Sequence, residues 1–127
     1  MSGYLLDTHV LLWWLDDPAL LSQGARSAIV EPDNRAIVSI ASVWEIAIKT
    51  TLGKLEVPED LEEMIEDSGF ELMSITYSHA WTVKELPLEH HKDPFDRLLV
   101  AQAKVEGLTL ITRDENLKQY GIPIIEA

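Results

Sequence analysis

The sequence predicts an α/β sandwich, in which a parallel sheet is covered by helices on both faces. Short apolar runs of strand length alternate with segments that have helical spacing or helix caps, and this alternation is typical of a parallel sheet. The chain has 127 residues, of which 46% are apolar and 25% are charged, as in ordinary globular proteins. One real core can form at this length, so we expect residues 1–127 to be a single domain.

Five segments are predicted to be strands because they are short and apolar. They are residues 4–7, 36–39, 70–75, 109–112 and 122–125, of which the last is the weakest. Helices are predicted between them from spacing and from capping residues. They are residues 9–15, residues 23–30 after a cap at Ser22, a helix from Ser39 or Ser42 to residue 50, residues 58–67 with Pro58 as the first helical residue, residues 78–86, and a helix that begins at Asp93-Pro94 and ends at Gly107.

The charge balance limits the partners that the chain can bind. Ten Lys and Arg residues stand against 22 Asp and Glu residues, which gives a formal net charge of −12. A protein that holds DNA or RNA mainly by neutralising phosphates is basic, so this composition argues against tight nucleic-acid binding by the chain alone. It allows a metal cation or a basic partner protein.

The sequence contains no cysteine, and it shows the pattern of neither a membrane-spanning segment nor a signal peptide. Without cysteine the chain has no disulfide, zinc–thiolate site or thiol nucleophile. The longest unbroken apolar stretch, residues 10–15, is far shorter than the roughly 20 residues that span a bilayer. The amino terminus has no basic cluster of the kind found in signal peptides. We therefore expect a cytoplasmic protein that does not enter a membrane.

Four acidic residues fall where an alternating α/β chain places its chemistry. Asp7 ends the first predicted strand, and Asp114 follows the fourth. Glu45 lies about a turn and a half into the helix after the second strand, and Asp96 lies in the first turn of the helix that begins at Asp93. Because ligands of open parallel sheets bind beyond the carboxyl ends of the strands, we expect Asp7, Glu45 and Asp114 to share that edge. The placement of Asp96 there is less constrained, because another helix separates it from the preceding strand.

A cluster of carboxylates needs a cation. Like charges at close range repel, and without compensation some of the carboxyl groups would take up protons. Mg²⁺ and Mn²⁺ prefer oxygen ligands and remove this repulsion. Such an ion activates water and offsets the charge that develops on a phosphodiester during hydrolysis. The four acids therefore suggest metal-dependent phosphoryl chemistry, in which the ion is the local positive centre of an acidic protein.

Each acid also has a purely structural interpretation, which the sequence leaves open. Asp7 and Asp114 each precede a helical segment and can cap it. Asp96 can favour the dipole of its helix from the first turn. Glu45 can pair with Lys49, four residues on, as an ordinary helix-surface ion pair. The joint placement of the four acids, rather than any one of them, supports a functional site.

Four sequence motifs together resemble the PIN-domain nucleases. They are LLDTH at residues 5–9, SVWEI at residues 42–46, HKDPFDRLLVAQA at residues 91–103 and LITRD at residues 110–114. They occur in the order found in that family and extend over nearly the whole chain. A small protein of this kind is similar to the VapC toxins of bacterial and archaeal toxin–antitoxin pairs.

The resemblance implies a three-layer sandwich with a mainly parallel sheet of four to five strands. It also implies a metal-dependent endoribonuclease that uses Mg²⁺ or Mn²⁺ and leaves 5′-phosphate and 3′-hydroxyl ends. Such a toxin hydrolyses an RNA substrate, is held inactive by a small antitoxin protein, and is often a homodimer. By this resemblance Asp7, Glu45, Asp96 and Asp114 bind the metal and are catalytic, whereas Asp93 remains the helix cap.

Neighbouring polar residues are expected to support this site. Thr8 and Thr112 can hydrogen-bond to the ligands, and Lys49, Arg97 and Arg113 can contact phosphates or neutralise the acids. The tryptophans lie in apolar helical contexts, so we expect them to pack in the core or at a subunit interface rather than to stack on bases. They are Trp13, Trp14, Trp44 and Trp81. The adjacent histidines His90 and His91 are expected to be loop residues, because the sequence lacks the further ligands of a zinc site.

Two other functions remain open from the sequence. One is a non-catalytic binding module that keeps the same fold. The other is a phospho-acceptor domain similar to receiver domains, which share the size, the acidic charge and the α/β layout. The receiver pattern fits less well, because Asp7 stands alone at its strand end and no Lys follows residues 122–125.

Overall fold

The computed structural model describes residues 2–87 and 93–127, in which five strands form one sheet. The strands are β1 (Gly3–Leu6), β2 (Arg35–Ser39), β3 (Glu71–Met73), β4 (Thr109–Thr112) and β5 (Ile124–Glu126). Their order in the sheet is β3-β2-β1-β4-β5, and each neighbouring pair is parallel. The predicted α/β sandwich and its mainly parallel sheet of four to five strands are confirmed.

Helices connect the strands, as parallel pairing requires. They are α1 (Thr8–Asp16), α2 (Gln23–Val30), α3 (Ile40–Thr51), α4 (Leu61–Asp67), α5 (Tyr77–Thr82) and α6 (Pro94–Glu106). Short 3₁₀ turns cover Pro18–Leu20, Val83–Glu85 and Glu115–Tyr120. None of the helices in residues 2–87 and 93–127 is long and apolar enough to cross a membrane.

Most of the predicted helix ends are confirmed. Ser22 caps α2, and Ser39 rather than Ser42 caps α3, each by accepting a hydrogen bond from a backbone amide of the first turn. The Asp93 side chain caps α6, which ends at Gly107. Gly107 has a φ of 67°, a left-handed conformation that glycine adopts without steric cost.

The predicted start of the fourth helix at Pro58 is wrong. The helix begins at Leu61, and Glu59 and Asp60 form a turn before it. The fixed φ of proline suits a turn as well as a first helical turn, and here the turn lets Val57 pack against the core. The predicted helix over residues 78–86 likewise divides into α5 and a 3₁₀ turn.

The core lies on both faces of β1, the central strand. Leu5 and Leu6 are fully buried and point to opposite faces, because successive side chains of a strand alternate. Leu6 packs in a cluster with residues of α1, α2 and α4, whereas Leu5 packs in a cluster with residues of α6. The sheet is therefore the middle layer, and the strand ends that carry the predicted acids lie between the two helical layers.

Arg97 fixes α6 against the segment that follows α5. Its guanidinium is buried and donates hydrogen bonds to the carbonyl oxygens of Val83, Leu86 and Pro87, over distances of 2.9–3.1 Å. Backbone carbonyls of an irregular segment have no ladder partner, so a buried fork of donors satisfies them. The expectation that Arg97 contacts a substrate phosphate does not agree with this position.

We expect the substitution Arg97→Met to lower the free energy of unfolding by roughly 2–4 kcal/mol. Methionine keeps an apolar stem but has no donor, and each buried acceptor left without a partner costs about 1–3 kcal/mol. Urea unfolding measures the change. The matched control is Lys104→Met, an exposed position of the same helix, for which we expect a change within about 0.5 kcal/mol. Equal effects of the two substitutions would contradict the assigned role of Arg97.

Candidate functional site

Asp7 lies directly after β1 and is almost fully buried. It occupies the N-cap position of α1, yet its side chain makes no capping hydrogen bond. Instead Thr112 Oγ1, at the end of β4, donates to Asp7 Oδ2 over 2.6 Å. The carboxylate is therefore held by the neighbouring strand, and the interpretation of its side chain as a simple helix cap is wrong.

The environment of Asp7 disfavours its negative charge. Burial raises the pKa of the Asp7 carboxyl above its ordinary value, and the nearby charge of Glu45 adds to the rise. The hydrogen bond from Thr112, the charge of His9 and the backbone amide of Thr8 oppose it. Asp7 thus lies within electrostatic reach of Glu45.

Glu45 lies on α3 with both carboxylate oxygens engaged. Thr8 Oγ1 lies 2.8 Å from Glu45 Oε1, to which it donates, and 2.9 Å from the Ser42 hydroxyl. Lys49 Nζ lies 2.9 Å from Glu45 Oε2. The predicted pair of Glu45 and Lys49 is confirmed, but it is not an ordinary surface pair, because the side chain of Glu45 is only 7% exposed.

The first turn of α6 lies against α3. The Phe95 ring meets the exposed Trp44 ring edge-on, with centroids 5.0 Å apart. Asp93 accepts from the amides of Phe95 and Asp96, so its assignment as the cap is confirmed. The hydrogen bond with Glu45 raises the pKa of Lys49, and the charges of Asp93 and Asp96 add to that rise. Asp96 therefore lies within electrostatic reach of Lys49, on the side of the molecule where Glu45 lies.

Asp114 belongs to the same edge of the sheet through Thr112. Its backbone amide donates to Thr112 Oγ1 over 3.1 Å, and the same hydroxyl donates to Asp7. The Asp114 side chain accepts from the amide of Asn116 and caps the 3₁₀ turn Glu115–Tyr120, as its structural interpretation predicts.

The four predicted acids lie in one region of the molecule, but their carboxylates do not converge on a single metal position. In the part of the chain that the structure describes, no three His, Asp or Glu side chains stand close enough to hold one metal ion. Like-charged carboxylates separate unless a cation lies between them. Hydroxyl groups and Lys49 satisfy the buried pair instead. The assignment of Asp7, Glu45, Asp96 and Asp114 as metal ligands therefore stays a prediction.

The predicted polar neighbours divide into supporting and structural residues. Thr8, Thr112 and Lys49 contact the acids, as expected. Arg113 is structural, because it donates to the carbonyl oxygens of Leu20 and Ala127 and its guanidinium stacks on Trp13. The predicted loop residues His90 and His91 lie outside the described residues.

Two contacts that shape the site were not predicted from the sequence. One is the bond between Thr8 and Ser42, for which the only available signal was that Ser42 precedes Glu45 by one helical turn. The other is the ring contact of Trp44 with Phe95, in which each aromatic residue directly precedes a predicted acid. Exposed Trp44 and Trp81 are not core residues, whereas Trp14 packs on Phe70 in the core.

An apolar groove lies between α1 and α4. Its volume is about 490 Å³, and we call it the α1–α4 groove. It is lined by His9, Leu12, Trp13, Leu15, Asp16, Leu55, Glu56, Val57, Pro58, Leu61 and Met64. The lining is mostly apolar, and the carboxylates of Asp16 and Glu56 give its rim a negative charge.

A second apolar surface lies on α3. Ile40, Trp44, Ile48 and Leu52 are all exposed, with Leu52 at 61%, and they follow one another at intervals of four residues. That spacing puts them on one side of the helix. We call this row the α3 stripe.

We expect the substitution Asp7→Asn to stabilise the protein at neutral pH when a chelator is present. Burial holds the pKa of Asp7 above its ordinary value of 3.8, so the ionised carboxyl destabilises the folded state as the pH rises past that value. Asparagine keeps the acceptor for Thr112 without the charge. The expected gain at pH 7 is roughly 0.5–2 kcal/mol, the common range for stabilising substitutions.

Urea unfolding over a pH series checks this expectation. The gain should disappear below pH 3.8, where the carboxyl is neutral in both states. Asp33→Asn, at an exposed turn position, serves as the control and should change nothing. A stability of Asp7→Asn that equals or falls below the wild-type value at pH 7 would contradict the cost of the buried charge.

Comparison with known proteins agrees with the motifs and the fold. The model of the PIN domain matches residues 4–123. Ribonuclease VapC22 of Mycobacterium tuberculosis (strain ATCC 25618 / H37Rv) is 35% identical to this chain over 130 residues, covering 97% of this chain and 95% of the relative. Similarity of this extent is shared along the whole length of both proteins.

Solved structures give the same result for the fold. VapBC2 from Rickettsia felis, solved with a DNA fragment from its promoter, has a TM-score of 0.75 at 18% identity and 98% coverage of both chains. DNA-bound VapBC from Salmonella typhimurium has a TM-score of 0.74 at 18% identity, covering 99% of this chain and 98% of that one. At these identities the likeness is one of fold. With a family model that matches almost every residue and a relative above 30% identity, this chain belongs to the PIN-domain family.

Proposed function

We propose that this protein is a ribonuclease toxin of a toxin–antitoxin pair that hydrolyses RNA with the help of Mg²⁺ or Mn²⁺. The observation that carries the proposal is the burial of Asp7, directly after β1, within electrostatic reach of the buried Glu45 on α3, the helix that follows β2. Membership of the PIN-domain family and the relative named as a ribonuclease support the same activity. The location at the edge where parallel sheets bind ligands agrees with it.

The donor set fits a hard divalent ion. Asp7, Glu45, Asp96 and Asp114 offer carboxylate oxygens, and Mg²⁺ and Mn²⁺ take oxygen ligands together with waters. Two buried carboxylates that repel one another gain more from a cation than exposed ones would. We infer that these four residues hold the ion, some of them through water. The bound ion supplies an activated water and positive charge for the phosphodiester.

The residues around the acids orient them for this task. The hydroxyl of Thr112 donates a hydrogen bond to the carboxylate of Asp7 and accepts one from the backbone amide of Asp114. The hydroxyl of Thr8 donates to the carboxylate of Glu45. Rigid hydrogen bonds of this kind hold ligands in place before the ion arrives. The net charge of −12 repels an RNA backbone, and this repulsion is weakest where the cation lies. Cytoplasmic RNA is the substrate that this proposal implies.

The receiver-like alternative does not agree with the topology. Receiver domains have the strand order 2-1-3-4-5, whereas this sheet places β3 at the edge beside β2. The non-catalytic alternative keeps the fold and predicts no metal-dependent cleavage. The following experiment therefore separates it from the proposed ribonuclease.

We expect Asp7→Asn and Asp96→Asn each to reduce RNA cleavage more than about a hundredfold, because loss of outer-sphere partners alone already costs 10–100-fold. The assay uses a panel of structured RNAs with Mn²⁺ and, in parallel, with a chelator that abolishes cleavage. Circular dichroism verifies that each variant keeps the fold. Asp33→Asn removes the same charge at an exposed turn and should cleave as the wild type does. Cleavage by the Asp7 variant at the wild-type rate would refute the assignment.

The α1–α4 groove supports an antitoxin as partner. An apolar lining with acidic residues at the rim complements an amphipathic segment that carries Lys or Arg. The acidic composition of the chain favours a basic partner for the same reason. We propose that the antitoxin segment binds in this groove.

The α3 stripe supports self-association. Four large apolar side chains in a row form the kind of exposed patch that marks a protein interface. A two-fold axis across α3 would pair each stripe with its own copy, since a symmetric dimer uses the same surface twice. We propose that a second copy of this chain covers the stripe.

Two matched substitutions test these surfaces against each other. Ile48→Asp should convert a dimer into a monomer in light scattering, with antitoxin binding unchanged. Leu61→Asp, at the first residue of α4 where an acid suits the helix dipole, should weaken the affinity for a co-expressed antitoxin more than about tenfold and leave the dimer intact. Each variant is the control for the other, and an exchange of the two outcomes would reverse the assignments.

A further inference from the structure

Lys49 is a positive charge in contact with the buried carboxylate of Glu45. Its ammonium lies 2.9 Å from Glu45 Oε2, while its own side chain is 36% exposed. The lysine therefore reaches from the protein surface to a carboxylate that is itself buried. Arg97 and Arg113, the other basic residues expected near the site, donate to backbone carbonyls instead.

The two partners of Glu45 differ in how easily they can leave. Thr8 is 1% exposed, and its hydroxyl also contacts Ser42, so it is fixed between two helices. Lys49 is attached through four flexible methylene groups and is open to solvent, where an ammonium is well hydrated. A divalent ion that takes Glu45 as a ligand shares its oxygens with these partners, and the positive charge of the ion repels the ammonium of Lys49 but not the hydroxyl of Thr8. Lys49 is the partner that can move at lower cost.

We propose that Lys49 is a built-in counter-cation for Glu45, which competes with the divalent ion for this carboxylate and moves out when the ion binds. Lys49 is thus a positioning residue that holds Glu45 in place in the metal-free protein and sets the affinity for the metal. This inference rests on the proposed function in one respect, because it takes Glu45 as a metal ligand.

The opposite role predicts the opposite sign. If Lys49 only oriented Glu45 for the ion, removing its charge would weaken metal binding. If it competes, removing its charge strengthens metal binding, and a tighter cationic partner weakens it. Arginine is that tighter partner, because its planar guanidinium forms two parallel hydrogen bonds with a carboxylate.

Calorimetric titration of the full chain with Mn²⁺ in the absence of RNA measures this competition. We expect Lys49→Met to tighten Mn²⁺ binding on the order of tenfold, since a unit charge at contact distance is lost. We expect Lys49→Arg to weaken it about threefold. The control is Arg35→Gln, which removes one positive charge and the ion pair with Glu71 at the start of β2, and should stay within about twofold of the wild type. In a Glu45→Gln background, Lys49→Met should have no more effect than this control.

The outcomes separate the inference from the proposed function. Mn²⁺ binding that is unchanged or weakened by Lys49→Met overturns the inference and leaves the metal site standing. If Lys49→Met does not fold, Lys49→Arg decides alone, and unchanged or tighter binding by that variant overturns the inference. The absence of Mn²⁺ binding in every variant overturns the inference together with the metal dependence of the proposed function.

Discussion

The burial of two like charges next to each other is the constraint on which this structure depends. Asp7 and Glu45 come from different elements of the fold. Burial and the charge of Glu45 both disfavour the ionised form of the Asp7 carboxyl group. Each carboxylate is held by a hydroxyl from another element, Thr112 for Asp7 and Thr8 for Glu45. These bonds satisfy the oxygens but bring no charge. Lys49 supplies a compensating positive charge to Glu45. The negative charge that remains at this edge of the sheet can be neutralised by a cation.

A sequence selected for stability alone would not keep this arrangement. Among the described residues Glu45 is paired with Lys49, but no ion pair is found for the buried Asp7. An unpaired buried carboxylate breaks the rule that each buried charge is paired, and proteins break such rules chiefly at functional sites. The apolar core offsets the cost, since Leu5 and Leu6 anchor β1 to both helical layers. A rigid central strand is therefore what allows Asp7 to be buried at its end. The stability of the sheet and the burial of the carboxylate at its edge are linked through this one strand.

The features that were predictable from the sequence are those encoded over short distances. The caps at Asp93 and Gly107 depend on residues within a few positions, and both were predicted. The hydrogen bond between Asp7 and Thr112 joins residues 105 positions apart, so local propensity carries no information about it, and it was expected only because both residues belong to the predicted site. The family resemblance predicted that the four acids form one site, but it did not predict the structural role of Arg97. Arg97 was expected to contact a substrate phosphate. Its structural role was not predicted because a sequence does not show which backbone carbonyls a fold will leave without a partner in the sheet or helices.

The acidity of the whole chain becomes intelligible once the position of its charges is known. Electrostatic attraction from the protein surface would bring RNA to any basic patch, whereas an acidic surface disfavours contact wherever no cation lies. An ion at the end of β1 would then be a positive point on a negative protein, and the RNA backbone would meet the least repulsion there. The acids at the rim of the α1–α4 groove have a second consequence, because they favour a basic segment over RNA in that groove. Under the proposed function, the same negative charge would restrict RNA to the metal and favour a basic partner in the groove, so that substrate and antitoxin would be drawn to the protein by different chemistry.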